Sequence, residues 1–281
     1  MKDYVKENQQ ILERWRTKFA EDKKSDEEYI DLDPVKYFAP DGIMNKGEFY
    51  ENIDNECRRK PSGKENQMWA EAPLRILFLS KDQNAYGGEA KDVKTETFYM
   101  RENGVPPQNN RFSSSIFYRN EARILYGLLH TNLQEGMVDI DAFSLNDALI
   151  FSNEQIFARI NCKKEIGGER CDNTLLQNAI DSYPEFLKEQ IINLDADILV
   201  CCGSGDNGNI ILNFLNGHGY NFEYINDETY SIYYDREKNK IAIDSYHLAA
   251  RVSKDEMYYN SVRPFFNFIK YYPDFIESHR K

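Results

Sequence analysis

Long apolar runs are absent from this 281-residue chain, and no stretch approaches the ~18 apolar residues that cross a bilayer. The first ten residues, MKDYVKENQQ, lack the apolar centre of a secretion signal, so the expected compartment is reducing and, by default, cytoplasmic. Cysteine is scarce and odd in number, five in all, with neither a CxxC pair nor a His/Cys cluster at zinc spacing. No disulfide framework, metal or iron–sulfur cluster is therefore expected. Basic charge is also short: 35 Lys and Arg face 47 Asp and Glu, giving a formal net charge of −12. This works against a protein that coats nucleic acid, because affinity for phosphate grows with each neutralising cation.

The deficit is uneven. Residues 172–230 hold ten Asp and Glu against the single Lys188, a local balance of −9. Residues 231–281 hold nine Lys and Arg against seven Asp and Glu, so the carboxyl-terminal end can face a polyanion while the acidic region looks away. Length and a 41% hydrophobic content suit one α/β core with an appendage. Residues 1–72 read as a helical and loop extension. Its first helix carries Tyr4, Val5, Ile11, Leu12, Trp15 and Phe19 near a 3.6-residue stripe, and a short helix is expected around Glu48 to Glu56.

Residues 73–281 alternate β-rich and helical stretches. The strand candidates are 75–80 (RILFLS), 155–161 (QIFARIN), 197–202 (DILVCC) and 240–244 (KIAID). Between them lie apolar stripes through Ile116, Ile124 and Leu128, through Leu176 and Ile180, and through Leu187 and Ile191, with a last helix from about Asp255 to Tyr271. Such alternation predicts a parallel sheet covered by helices, with ligands beyond the carboxyl ends of the strands.

The chemistry-bearing residues fall at those ends. Asp82 follows the first strand by two residues, a position suited to a general base at a cleft mouth or to a turn cap. Asn161 ends the second strand, where an amide can offer a donor and an acceptor to a planar ligand or can simply make a turn. His247, one of four histidines, follows the fourth strand. Lys163 and Lys164 lie beside Gly167 and Gly168, placed to contact phosphate or to form a solvated face. Gly203, Gly205 and Gly208 spell GxGxxG after a strand, but Asp206 would sit near a bound pyrophosphate, so a tight turn is preferred to a dinucleotide site and no cofactor is expected. Cys201 and Cys202 read as packing residues.

In order and spacing, ILFLSKDQN, FARINCKKEIGG, ILVCCG and IAIDSYHLAARVS resemble the motifs of the uracil-DNA glycosylase superfamily over about residues 72–270. The similarity extends to glycosylase-like proteins in which a DGI segment, here Asp41 to Ile43, precedes the first motif. The resemblance implies a three-layer α/β/α fold with a central four-stranded parallel sheet, and a pocket for a base flipped out of DNA. It makes Asp82 the residue that activates water and Asn161 the reader of the pyrimidine edge. His247 becomes the group that stabilises charge on the departing base. Asn84 stands where the family has a Tyr walling off the pocket. Tyr86, Phe117 and Tyr118 lie near the stretch that supplies a stacking platform, and Tyr86 and Asn84 are expected among the base-binding residues. Leu248 and Ala249 replace a Pro-Ser pair, leaving Arg251 or Ser253, with Lys163 and Lys164, to hold phosphate. The implied partner is DNA carrying a uracil-like or modified base. The alternative is a glycosylase fold that binds nucleic acid or nucleotide without turnover.

Overall fold

Strands too short for helices form the centre of the molecule, each buried along its whole length, although one of them carries Arg159 and Asn161. The computed structural model describes residues 2–29, 32–44, 49–53, 56–60, 63–83, 116–167, 171–203 and 208–279. Asn84 and Tyr86 lie outside these residues, as do Gly168 and residues 204–207 of the glycine motif.

In chain order the described elements are α1 (Tyr4–Lys23), β1 (Gly42–Met44), β2 (Phe49–Ile53), β3 (Glu56–Lys60), α2 (Glu65–Glu71), β4 (Ile76–Ser80), α3 (Ile116–His130), α4 (Leu145–Glu154), β5 (Phe157–Asn161), α5 (Asn173–Ser182) and α6 (Pro184–Leu194). There follow β6 (Ile198–Cys201), α7 (Ile210–Gly217), β7 (Glu223–Tyr224), β8 (Ile232–Asp235), β9 (Lys240–Asp244), α8 (Lys254–Tyr271) and α9 (Asp274–His279). Short 3₁₀ turns connect several of them. The main sheet runs β1-β5-β4-β6-β9-β8-β7.

The class is α/β, but the sheet is larger and more mixed than expected. β5, β4, β6 and β9 pair in parallel, and antiparallel β1 on one side and β8-β7 on the other extend it to seven strands. β8 turns back onto β9 through residues 236–239, where Asn239 takes a left-handed φ of 53° that Asn tolerates better than most residues. The short helix expected around Glu48 to Glu56 is instead the β2-β3 hairpin, with Tyr50 opposite Arg59 and Glu51 opposite Arg58.

Helices cover both faces. On one face Leu77, Leu79, Ala158, Ile160, Leu199 and Cys201 share a core with α1, α5, α6 and α7. On the other, Ile76, Phe78, Phe157, Val200 and Ile243 share a core with α3, α8 and α9. The segment read as an extension thus contributes to the main body, since Trp15 and Phe19 are buried in the first core and β1 is a strand of the sheet. Among the described residues no helix is long and apolar enough to cross a membrane.

Candidate functional site

The two ends of the parallel strands are treated differently. At the amino ends, charges are paired with one another. Arg75 Nη2 meets Asp197 Oδ1 at 2.8 Å, Arg75 Nη1 meets Asp195 Oδ2 at 2.9 Å, and Lys240 Nζ meets Asp195 Oδ1 at 2.8 Å. That network fastens the starts of β4, β6 and β9. At the carboxyl ends, polar groups are buried with fewer partners, which is where an open parallel sheet binds its ligand.

Strand pairing brings Asp82 and Asn161 together. Ser80 lies opposite Asn161, and the ladder continues past the strands, with Lys163 donating to Lys81 O and Gly167 donating to Gln83 O, each at 2.8 Å. Asn161 follows Arg159 at period two, so it faces the α3 side of the sheet, where Arg159 Nε donates to Glu121 Oε1 at 2.8 Å. The Asn161 side chain has no hydrogen bond among the described residues, whereas its backbone N–H donates to Asp41 Oδ2 at 2.7 Å.

Asp82 is largely shielded from solvent. Its Oδ2 is buried without a hydrogen-bond partner among the described residues, and Lys163 Nζ lies 3.8 Å away. Burial pushes its carboxyl above the usual carboxylate range, while the charges of Lys163 and Lys81 pull it back. Gly167 presses on the same oxygen so closely that a Cβ there would lie 1.8 Å from Oδ2. Ser80 Oγ is also buried and unpartnered among the described residues.

His247 lies two strands from Asp82 in the order β4-β6-β9, a separation of roughly 10 Å from strand spacing. Burial, and secondly the charge of Lys81, depress its pKa to about 4, so the imidazole is neutral near pH 7. Its Nδ1 accepts from the Ala249 N–H at 3.3 Å, which assigns the ring proton to Nε2. The loop bearing it is fixed to α3 by Asn120 Nδ2, which donates to Leu248 O at 2.8 Å. The Phe117 ring lies 6.0 Å from the His247 ring and 5.0 Å from the Arg159 guanidinium.

Not every candidate belongs to this cluster. Lys164, expected on phosphate, is buried beneath α1 with Nζ on Asp41 Oδ1 and Oδ2 at 2.7 and 2.6 Å. Its charge is already matched inside the fold. Lys163 is mostly buried too, its Nζ donating to Glu165 O at 2.6 Å. Ser253 caps α8, its Oγ accepting from the Glu256 N–H at 3.0 Å, and Arg251 is exposed in the loop before it. Cys201 and Cys202 are buried in the sheet with thiol pKa values pushed well up by burial, which disfavours the nucleophilic thiolate.

Three further residues, none of them a candidate site residue in the sequence, bear on this region. Lys81 bears electrostatically on both Asp82 and His247 while donating to Asn173 Oδ1 at 2.9 Å. Gly167 shapes the Asp82 environment, and Asp41 supports the Asn161 backbone. Adjacency to Asp82 was the available signal for Lys81. No family model, curated protein or solved structure matches the chain.

Proposed function

We propose that this protein is a glycosylase-like hydrolase that cleaves the N-glycosidic bond of a uracil-like or modified base flipped out of DNA. The observation that supports the reading is that Asp82, Asn161 and His247 all follow carboxyl ends of the parallel strands β4, β5 and β9, with the charge of Lys81 acting on both Asp82 and His247 and the Phe117 ring beside His247. Asp82 Oδ2 has room in its hydrogen bonding to accept a proton from water, and Lys163 at 3.8 Å favours its ionised form. The water so oriented attacks the sugar carbon as the bond to the base breaks. Neutral His247 offers Nε2–H to the oxygen on which the base's negative charge grows, an interaction made more strongly in the transition state than before it. Asn161 has an amide available for the base edge, and Phe117 offers a ring for stacking worth ~1–3 kcal/mol.

The test is to incubate the protein with uracil-containing single- and double-stranded DNA and score alkali-labile abasic sites. Wild type should form them, and Asp82→Asn should lose orders of magnitude in rate with little change in thermal stability. Full activity in that variant would remove Asp82 from the mechanism. The second reading, a binding module without turnover, draws support from the net charge of −12 and from the internal pairing of Lys164. Salt-dependent DNA binding with no abasic product would favour it.

A further inference from the structure

With Lys164 matched by Asp41 and Lys163 turned toward Asp82 and Glu165, the turn after β5 has little charge left for a phosphate. A different group of cations lies beside the His247 loop. Arg119 and Arg123 stand four residues apart on α3, hence on one side of the helix. The Asn120–Leu248 hydrogen bond holds the first turns of α3 against the loop that carries Arg251 and leads into α8. Arg123 is partly buried, yet neither it nor Arg251 has an ion-pair partner among the described residues.

The local balance is not wholly positive. Lys254 pairs with Asp141 at 2.6 Å, and Asp255 acts on Arg123 from a distance. Burial first, and then the Arg119 charge, weaken the hold of Arg123 on its proton, with Asp255 opposing. Two guanidiniums one helical turn apart beside the His247 loop, one of them partly desolvated and without an ion pair among the described residues, favour an incoming anion that bridges them. The amino terminus of α8, an 18-residue helix, adds positive potential beside them.

Resting on the nucleic-acid reading of the site, we infer that Arg119, Arg123 and Arg251 form the grip on the phosphodiester backbone flanking the flipped base. These residues take the role expected of Lys163 and Lys164. Backbone phosphates of a duplex or a single strand share this chemistry, and salt dependence separates them. Binding of an oligonucleotide duplex and of its single strand is measured by fluorescence anisotropy over a range of salt, for wild type, Arg119→Gln, Arg123→Gln, the double variant and Arg123→Lys.

Each arginine removed should lower the magnitude of the slope of log K against log salt by about 0.9 on duplex, or about 0.7 on single strand. Arg123→Lys should keep the wild-type slope. A double variant that binds with the wild-type slope overturns the inference and leaves the proposed chemistry standing. Loss of slope in a protein that forms no abasic sites supports the grip and overturns the chemistry. A wild-type protein that binds neither form overturns the grip, and the abasic-site assay then decides the chemistry separately.

Discussion

A methyl group added at Gly167 separates function from stability at this site. An ideal Cβ there lies 1.8 Å from Asp82 Oδ2 and 2.9 Å from its Cγ, whereas ordinary contact begins at 3.4 Å. The Gly167→Ala variant therefore forces the carboxylate oxygen back by about 1.6 Å, the difference between the last distance and the first. Displacements of about 1 Å at a reacting group can cost about 10²-fold, so kcat should fall by at least about that factor. Stability should hardly move, because the atom displaced is the tip of a side chain and Gly167 does not occupy the left-handed region. Reduced unfolded-state entropy even offers up to about 1 kcal/mol in the variant's favour. The assay is single-turnover formation of abasic sites at saturating protein, alongside thermal unfolding. Gly217→Ala serves as the control, since a Cβ there meets nothing within 4 Å. A Gly167→Ala protein with wild-type rate and wild-type Tm would refute the placement of Asp82 Oδ2 at the reacting centre.

Removing the charge of Lys163 with Lys163→Met takes away a group that lowers the Asp82 pKa, so burial then acts with less opposition and the acid limb of the rate profile should shift to higher pH. Because His247 is held at about 4, below its ordinary value, it should add no limb between about pH 5 and 8. The same depression means that the unfolded chain binds this proton more readily, so its contribution to stability is present above the unfolded pKa and declines as pH falls through the folded value; NMR titration of the imidazole and urea unfolding against pH check both statements. Asp41→Asn leaves Lys164 buried without its countercharge and should cost about 3–5 kcal/mol in urea unfolding, with Asp41→Asn/Lys164→Met recovering part of it. A double variant no more stable than the single one would show that the buried ammonium is not the source of the loss.

The parallel core was legible because burial on both faces demands continuous apolar runs, and four such runs stand out between polar stretches. They were read within one or two residues of Ile76–Ser80, Phe157–Asn161, Ile198–Cys201 and Lys240–Asp244. β8 was not read, since its Tyr233 and Tyr234 are only half-buried and the segment gains its strand character by pairing with β9. The same dependence on a partner concealed β1, three residues long and recognisable only beside β5.

Charged side chains were harder still, because two adjacent lysines look alike in sequence while the fold sends them to different fates. Past the end of β5, Lys163 directs its Nζ toward Asp82 and Glu165, and Lys164 is drawn under α1 to Asp41. Asp41 holds that ammonium, accepts from Gln190 Nε2 at 2.8 Å and accepts the Asn161 N–H, so one carboxylate ties α6, the turn after β5 and the end of β5 together. Its backbone carbonyl accepts from Asn8 Nδ2 at 3.0 Å, which adds α1, and Gly42 sits so close to Asn8 that a Cβ there would lie 2.5 Å from the amide nitrogen. The DGI segment is thus explained by packing: its Asp orders the Asn161 backbone from beneath the sheet, and its Gly lets α1 approach. A carboxylate that meets only the backbone of Asn161 can in this way fix the strand end on which that residue sits.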